Sequence, residues 1–286
     1  MRLASYRFDE APSRPALVDG DRVFDITARL AQAPADMIGL LTRLPEFRSE
    51  LERLADGPDD GRLDNHRLTC PVPRPGKILA LGLNYRDHIE EAGMDEPAHQ
   101  TWFAKMPTAA NGPYDPVHLP RVSDKLDYEA ELAVVIGKLA RHVPRADAAD
   151  YIAGYCVGND VSVRDWQLRT SQFVVGKSFD THCPFGPWLV TGDELGDPQA
   201  LGIRCTVNGE LRQQSNTRAM VFTVFEMIEH LSQAMTLEPG DVLFTGTPAG
   251  VGAMRKPPAY LTAGDVLRTE IDGIGALENE IVHEPE

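Results

Sequence analysis

The stretch LDYEAELAVVIG, residues 126–137, sets two acidic side chains into a run of small and apolar residues. Side chains alternate between the two faces of a β-strand, so Glu129 and Glu131 share one face, with Cα atoms roughly 6.8 Å apart. Neighbouring carboxylates repel each other and lose hydration on burial unless a cation lies between them. The stretch therefore predicts a strand that carries either a cation site or two exposed acids at a sheet edge.

Asp160 favours the cation site. It follows the apolar run of CVGNDVSVRD, residues 156–165, at a strand end where an acidic residue suits only a polar site. Three carboxylates without clustered cysteine or histidine form an oxygen-only ligand set. We therefore expect Glu129, Glu131 and Asp160 to bind Mg²⁺ or Mn²⁺, whereas Ca²⁺ suits a catalytic site less well and zinc is disfavoured. An octahedral ion held by three residues keeps positions open for water or substrate.

Strand-like runs bounded by glycine, proline, asparagine or aspartate fill most of the chain after residue 76. They cover residues 77–84, 129–137, 152–163, 188–192, 203–212, 241–246, 265–273 and 275–282. Helical patterns are few: one follows Asn84, and one runs from Thr223 to Gln233. Too few helices separate the strands for a βαβ arrangement, so we expect a β-rich α+β fold.

A different pattern precedes these strands. The stretch ALVDGDRVFDI, residues 16–26, has an Asp-Gly-Asp turn signal between two apolar runs, and helical patterns follow up to residue 55. Three alternating prolines between residues 71 and 75 then favour an extended backbone. We expect a small N-terminal α/β domain, residues 1–70, and a metal-dependent catalytic domain, residues 71–286.

Composition and charge disfavour several classes of function. The formal net charge of -15 argues against nucleic acid and anionic membranes as partners, since both repel a negatively charged surface. No run of about 18 apolar residues is present, and MRLASYRFDE lacks the apolar stretch of a signal peptide, so we expect a cytoplasmic protein. The four cysteines are widely spaced, which predicts buried or half-buried thiols and neither a disulfide framework nor a zinc site.

The segment GLNYRDHIEEAG, residues 82–93, starts a helix for which Asn84 or Asp87 could be the cap. His88 and Glu91 lie three residues apart on one face of this helix, so Glu91 could orient His88 as a general base. A solvated surface pair is the alternative. The polar stretch from residue 93 to 113 is predicted to be a mobile loop that acts as a lid, with Lys105 near its far end.

Further charged and polar residues follow the acidic ones. Arg164 and Gln167 come shortly after Asp160, which offers a guanidinium for a substrate carboxylate and an amide beside it. Lys177 lies between an apolar run and a turn-rich segment, where it is either a partly desolvated ammonium or a snorkelling surface residue. Cys183 beside His182 lacks the residues that would activate a thiol, so we interpret it as structural.

The glycine-rich segment DVLFTGTPAGVG, residues 241–252, resembles a phosphate-binding loop at first sight. It lacks the P-loop lysine, and no G-x-G-x-x-G motif with an acidic ribose partner is present, so nucleotide binding is disfavoured. A tight loop that binds a substrate carboxylate through backbone N–H groups and the Thr247 hydroxyl is the better interpretation.

Taken in order, these segments resemble the fumarylacetoacetate hydrolase family. The resemblance rests on GKILALGLNYRDHIEEAG (76–93), DYEAELAVVIG (127–137), GNDVSVRDWQ (158–167), GKSFDTHCPFGP (176–187), PGDVLFTGTPAGVG (239–252) and GIGALENEI (273–281). It spans nearly all of the chain after residue 75, whereas the first 70 residues match only loosely. The ordered set is specific, although no single segment is.

The resemblance implies a mixed β-roll catalytic domain, a homodimer, and Mg²⁺ or Mn²⁺ bound by the three carboxylates. It also implies a water-activating pair on a closing lid, a lysine beside the metal, and three residues that bind substrate. The matching positions are His88 and Glu91 for the pair, Lys177 for the lysine, and Arg164, Gln167 and Thr247 for the substrate. We add Lys105 to the residues expected to bind substrate.

The leading hypothesis is hydrolysis of a C–C bond in a small anionic 2-oxo acid, namely a 2,4-dioxo acid such as an acylpyruvate or a diketo-deoxy sugar acid. His88, oriented by Glu91, takes a proton from water, and the charge of the departing pyruvate-type enolate is stabilised by the metal and Lys177. The enzymatic alternatives are decarboxylation of oxaloacetate or a related β-keto acid, and isomerisation or dehydration of a 2-oxo acid. The non-enzymatic alternative is a structural Ca²⁺-binding module.

Overall fold

A computed structural model describes residues 1–10 and 12–285, and most of its regular structure is β-strand. The strands are β1 (Arg2–Tyr6), β2 (Arg14–Asp19), β3 (Arg22–Asp25), β4 (Gly61–Arg62), β5 (Leu68–Thr69), β6 (Ile78–Gly82), β7 (Thr101–Lys105), β8 (Ala110–Asn111), β9 (Val117–Leu119), β10 (Leu126–Asp127), β11 (Ala130–Ile136), β12 (Ile152–Asn159), β13 (Ser162–Val163), β14 (Cys183–Val190), β15 (Gly202–Val207), β16 (Glu210–Asn216), β17 (Val242–Phe244), β18 (Val266–Ile271) and β19 (Gly275–His283).

Helices are short and connect the strands. The α-helices are α1 (Ile26–Arg29), α2 (Met37–Thr42), α3 (Leu44–Leu54), α4 (Arg86–Glu91), α5 (Arg164–Gln167), α6 (Gly192–Leu195) and α7 (Val224–Ala234). The 3₁₀ helices are Asn65–Arg67, Pro107–Ala109, Arg145–Tyr151, Thr217–Ala219 and Gly252–Met254. Helix α7 begins with a capping box between Thr223 and Glu226, which explains why it starts where the sequence predicts. No helix within the described residues is long and apolar enough to cross a membrane.

The large sheet has the strand order β4-β3-β2-β1-β14-β12-β11-β17-β6-β7, with β5 beside β1 and β8 beside β14. It is mixed: β17 pairs with β6 in parallel, whereas β11 pairs with β12 and β17 in antiparallel fashion. A second sheet, β16-β15-β18-β19-β9, packs against β11 and β12. The expected β-rich α+β fold with mixed sheets is confirmed.

Strand β11 lies in the middle of the molecule because both of its faces are apolar. Leu132 and Val134 pack into the core shared with the second sheet and α7, while Ala133 and Val135 pack into the core beneath helices α2 and α3. All seven residues of the strand are buried. Side chains at the end of this strand are therefore shielded from solvent.

The N-terminal segment extends the large sheet. Strand β1 pairs with β14, with Arg2 opposite Val190, and β2 and β3 form the expected hairpin around Gly20. Helices α2 and α3 fall where the sequence predicts helical patterns. The division of the chain into domains at residue 70 stays a prediction.

The prediction of a mobile loop from residue 93 to 113 is wrong for the middle of this segment. Thr101–Lys105 forms strand β7, which pairs with β6 from Gly82 to Ile78. The reason is the alternation of strand side chains: Trp102 and Ala104 pack on one core cluster, and Phe103 packs on another. Lys105 consequently ends a strand.

Candidate active site

Three acidic side chains meet where β11 begins and β12 ends. Ala130 lies opposite Asn159 in this strand pair, and the Asp160 N–H donates to the Glu129 carbonyl over 2.8 Å. Carboxylate oxygens of Glu129, Glu131 and Asp160 consequently lie within 4.8 Å of one another. All three residues are buried, at 7%, 1% and 0% exposure, so the alternative of exposed acids at a sheet edge is wrong.

Two buried ammonium groups contact the acids. Lys177 Nζ lies 2.7 Å from Glu129 Oε2 and 2.6 Å from Asp160 Oδ2, and at 1% exposure it is not a snorkelling surface lysine. Lys105 Nζ donates to Asp160 Oδ1 over 2.5 Å and to the Val161 carbonyl over 3.2 Å. The expected position of Lys105 at the end of a loop is wrong, because β7 carries its side chain to Asp160.

A buried guanidinium completes the cluster. Arg164 donates to Asp127 Oδ2 over 2.7 Å, to Glu129 Oε1 over 2.6 Å and to Gln167 Oε1 over 2.9 Å. Its Nη2 atom is buried and has no hydrogen-bond partner within the residues that the structure describes. Arg164 and Gln167 therefore lie together beside the acids, with guanidinium N–H groups left over for a ligand.

Asp127 belongs to the site although it is not among the residues predicted from the sequence. Besides Arg164, it accepts hydrogen bonds from the backbone N–H groups of Gly252 and Ala253, over 2.7 and 2.9 Å. It therefore ties the start of the acidic strand to the segment after the glycine-rich loop. The signal was present in the sequence, since acids at 127, 129 and 131 repeat with the two-residue period of a strand.

The electrostatics of the cluster show an excess of negative charge. Burial and the charges of Asp160 and Glu129 raise the pKa of Glu131 well above its ordinary value. Burial also raises the pKa of Glu129, but the charges of Lys177 and Arg164 outweigh this effect and bring it below its ordinary value. The ammonium and guanidinium groups therefore neutralise Glu129 and leave Glu131 short of positive charge. A divalent cation between oxygen ligands meets that need, so the donor set fits a hard metal ion.

Helix α4 carries the predicted histidine–glutamate pair. His88 Nδ1 lies 3.1 Å from Glu91 Oε2, and Glu91 also accepts the Gly250 N–H through both oxygens, at 3.0 and 3.2 Å. An ionised carboxylate only accepts hydrogen bonds, so Nδ1 carries the hydrogen and the Nε2 lone pair is free to act as a base. The side chains are 15% and 24% exposed, so the pair is not fully solvated.

Neither residue predicted to cap this helix does so. Tyr85 occupies the cap position, without a side-chain capping bond. Asn84 is turned inward, where its Nδ2 donates to the carbonyls of Phe222 and Thr245 over 3.0 and 2.7 Å. Asp87 accepts from the Ser215 hydroxyl over 2.5 Å. Both side chains connect the start of α4 to the rest of the site, which local sequence does not reveal.

The glycine-rich loop lies against the acids. The Gly246 N–H donates to Glu131 Oε2 over 2.6 Å. Gly246 has φ +93, and a Cβ there would lie 2.7 Å from the Cβ of Asn84, so only glycine allows this approach. Thr247 is 4% exposed, and its hydroxyl accepts a hydrogen bond from Gln213 over 2.8 Å. Gln213, buried on β16, is a second site residue that is not among those predicted from the sequence.

Cys183 and His182 do not form a nucleophile and base. Burial raises the pKa of the Cys183 thiol to about 12, and burial lowers the pKa of His182 to about 3. His182 Nε2 lies 2.8 Å from the His118 carbonyl oxygen, so Nε2 carries the hydrogen and donates to the backbone. All four cysteines are buried free thiols, as predicted.

The fold is a mixed β-sheet, and its candidate site is a buried carboxylate triad that fits a divalent cation, beside a helix that carries a histidine. Comparison with known proteins identifies the family to which this combination belongs. The model for the C-terminal region of fumarylacetoacetate (FAA) hydrolase matches residues 77–282. The mitochondrial oxaloacetate tautomerase fahd2 of Xenopus laevis is 42% identical over 99% of this chain and 90% of its own length. The chain belongs to the fumarylacetoacetate hydrolase family.

Solved structures of the family resemble the chain over its whole length. Maleylpyruvate hydrolase from Sphingobium sp. SYK-6, in complex with manganese(II) ion and pyruvate, has a TM-score of 0.83 and 36% identity, covering 100% of both chains. The 5-carboxymethyl-2-hydroxymuconate delta-isomerase of Mycobacterium smegmatis has a TM-score of 0.78 and 34% identity, again covering 100% of both chains. The chain is an enzyme of this family, whose members include hydrolases, isomerases and tautomerases.

Proposed function

We propose that the chain is a divalent-metal-dependent hydrolase that cleaves a C–C bond in a small anionic 2,4-dioxo acid, an acylpyruvate or a diketo-deoxy sugar acid. The observation that carries the proposal is the charge of the buried cluster. Four carboxylates, including Asp127, face the three cations Lys105, Lys177 and Arg164. A divalent cation would change the net charge of the ionised cluster from negative to positive, which suits an anionic substrate.

The metal in this proposal is Mg²⁺ or Mn²⁺, held by Glu129, Glu131 and Asp160. A shell of carboxylate oxygens without nitrogen or sulfur suits these hard ions. The manganese(II) and pyruvate bound to the Sphingobium relative support both a divalent cation and a 2-oxo acid as ligands. When bound, the cation would supply Lewis-acid stabilisation of the negative charge that develops on the substrate's oxo oxygen.

His88 is the general base. Its Nε2 takes a proton from water, and Glu91, bonded to Nδ1, stabilises the imidazolium that forms. The hydroxide attacks the 4-carbonyl carbon, and the C3–C4 bond then breaks with its electron pair passing to the pyruvate part. Protonation of C3 by His88 returns the base to its starting state. Water and the dioxo acid thus become one carboxylic acid and pyruvate.

The surrounding residues bind the substrate and its developing charge. Arg164 offers its unpartnered Nη2 to the substrate carboxylate, with Gln167 beside it, and we assign the Thr247 hydroxyl to the same carboxylate. Lys177 uses two of its three N–H groups on Glu129 and Asp160, so one is left for the oxygen on which charge accumulates. Lys105 acts on Asp160 in this scheme, because its ammonium is used by that carboxylate and by a backbone carbonyl.

Tautomerisation of oxaloacetate is a second candidate. The specific observation in its favour is the Xenopus laevis relative, an oxaloacetate tautomerase that matches 99% of this chain. The same His88 would then move a proton at C3 without activating water, so the two reactions differ in whether a C–C bond is broken.

One experiment separates these reactions. Protein loaded with Mn²⁺ or Mg²⁺ is incubated with an acylpyruvate, a diketo-deoxy sugar acid and oxaloacetate, in H₂¹⁸O and separately in D₂O, and the products are identified by mass. Hydrolysis predicts one ¹⁸O atom in the released carboxylic acid and equimolar pyruvate. Tautomerisation predicts accelerated enol–keto conversion of oxaloacetate and deuterium exchange at C3 with no new carboxylic acid. If no substrate releases an ¹⁸O-labelled carboxylic acid, the proposed hydrolysis is wrong. If C3 exchange and enol–keto conversion are also no faster than without protein, tautomerisation is wrong too.

A further inference from the structure

The Gln213 side chain forms a buried connection between the acidic strand and the glycine-rich loop. It is 1% exposed on β16. Its Oε1 accepts the Ala130 N–H over 2.9 Å, and its Nε2 donates to the Thr247 hydroxyl and to the Pro248 carbonyl, each over 2.8 Å. Ala130 lies between Glu129 and Glu131, so this one amide contacts two parts of the site.

The orientation of the amide is fixed by its partners. A backbone N–H only donates and a backbone carbonyl only accepts, so Oε1 must face Ala130 and Nε2 must face Pro248. The second hydrogen of Nε2 then points at Thr247 Oγ1. The Thr247 hydroxyl oxygen therefore accepts a hydrogen bond from Gln213.

This arrangement determines what Thr247 can offer a ligand. A hydroxyl has one hydrogen to donate, and Gln213 takes one of its lone pairs. Within residues 1–10 and 12–285 the Thr247 hydroxyl donates to no protein acceptor, so its hydrogen is free. The preceding residue, Gly246, donates to the metal-ligand candidate Glu131, which keeps this hydroxyl beside the acidic cluster.

We propose that Gln213 is a positioning residue that makes Thr247 a hydrogen-bond donor toward the carboxylate of a 2-oxo acid. The inference rests on the proposed function, in which Thr247 binds the substrate's acid group. A glutamate at position 213 would reverse the arrangement. Its carboxylate only accepts, so the Thr247 hydrogen would turn toward it and present lone pairs to the anionic ligand.

The test is a double-mutant cycle on ligand affinity. Pyruvate binding to Mn²⁺-loaded protein is measured by calorimetry for the wild type, Gln213→Glu, Thr247→Val and the double variant. We expect Gln213→Glu and Thr247→Val each to weaken pyruvate binding about 10- to 100-fold, the range for a hydrogen bond to a charged group. The double variant should bind pyruvate no more weakly than Thr247→Val. Both changes act through the Thr247 hydroxyl, so their effects do not add.

Gln214→Glu is the matched control, because Gln214 is the next residue on β16, is exposed, and undergoes the same change of charge. It should bind pyruvate like the wild type. Should Gln213→Glu fail to fold, Gln213→Met removes the donor without adding charge. It should weaken pyruvate binding in the wild-type background, have no effect beside Thr247→Val, and keep the Mn²⁺ affinity, which a general loss of structure would not do.

Three results overturn the inference. The Gln213 variant could bind pyruvate as tightly as the Gln214→Glu control, its loss of affinity could add fully to that of Thr247→Val, or the wild-type protein could fail to bind pyruvate. Because affinity is measured without turnover, these failures differ from failure of the proposed hydrolysis, in which pyruvate binds but no substrate is cleaved.

Discussion

The acidic cluster and helix α4 are built differently, although both contribute to the site. Glu131 and Asp160 are 1% and 0% exposed, and they lie at the ends of central strands that are paired on both sides. His88 and Glu91 are partly exposed on a helix of six residues. Glu91 accepts a hydrogen bond from the Gly250 N–H, and Asp87 accepts from the Ser215 hydroxyl and the Ala249 N–H, which holds this helix to the rest of the site.

The difference separates two tasks. The carboxylates at the strand ends are held in place before a cation binds, which lowers the reorganisation needed to bind it. The base lies on a short helix outside the sheet, where its side chain is partly exposed. We therefore expect mutations in the sheet to affect the metal and the chemistry together, and mutations in α4 to affect the chemistry alone.

The largest effect is expected for Glu131→Gln. Losing one carboxylate should lower turnover of the active 2-oxo acid by about 1000- to 10,000-fold, since Lewis-acid stabilisation is worth several kcal/mol and each 1.4 kcal/mol is tenfold. Because burial and neighbouring acids already disfavour ionised Glu131, the metal-free variant should melt no lower than the wild type. Glu280→Gln, at an exposed position, is the control. A variant with wild-type turnover would contradict the role of the cluster.

The next effect is that of His88→Gln. Removing the base should lower kcat by about 100- to 1000-fold, the usual contribution of general base catalysis, without changing the thermal stability of the Mn²⁺-loaded protein. His99→Gln, in the exposed segment after α4, should leave kcat unchanged. Steady-state kinetics checks both variants. Equal kcat values for the two variants would remove His88 from the mechanism.

A smaller effect is expected for Lys105→Met, which tests whether the sheet orients its own ligands. Without the ammonium, Asp160 Oδ1 and the Val161 carbonyl lose their common donor. We expect Mn²⁺ affinity to fall about 10- to 100-fold, as for other partners of metal ligands. Lys138→Met, an exposed residue just after β11, provides the comparison. If Lys105→Met instead keeps its Mn²⁺ affinity and raises KM, Lys105 binds substrate, as first expected.

The smallest effect concerns the buried ring of His182, which immediately precedes β14. Burial lowers its pKa to about 3, against 6.5 ordinarily, so below pH 6.5 the unfolded chain binds a proton that the folded chain does not. Its contribution to stability is therefore complete above pH 6.5 and is lost as the pH falls toward 3. Between pH 7.5 and pH 5 the loss is about 2 kcal/mol. Urea unfolding of His182→Gln should show a pH dependence weaker by that amount, and an unchanged dependence would contradict the burial of a neutral ring.

Much of the fold follows from local pattern. The alternation of residues 129–137 predicts strand β11, and the spacing of Val224, Ile228 and Leu231 predicts helix α7. The prediction that Asn84 caps α4 is wrong, because Asn84 donates to the carbonyls of Phe222 and Thr245, far along the chain. Local sequence cannot reveal such partners.

The site was predictable where one strand carries it and less so where several elements meet. Glu129 and Glu131 follow from a two-residue period, and the same period would have selected Asp127. Gln213 gives no such signal, because its importance arises only when β16 passes beside Thr247. The sequence predicts Lys105 near the far end of a loop, whereas its contact with Asp160 depends on the pairing of β7 with β6.

The most direct test of the separation between sheet and helix is a titration of metal-free protein with Mn²⁺, followed by electron paramagnetic resonance. We predict one Mn²⁺ per chain for the wild type, the same stoichiometry and affinity for His88→Gln, and no specific binding for Glu131→Gln. Undiminished Mn²⁺ binding by Glu131→Gln, or its loss in His88→Gln, would contradict the assignment of the cation to the buried carboxylates of the sheet.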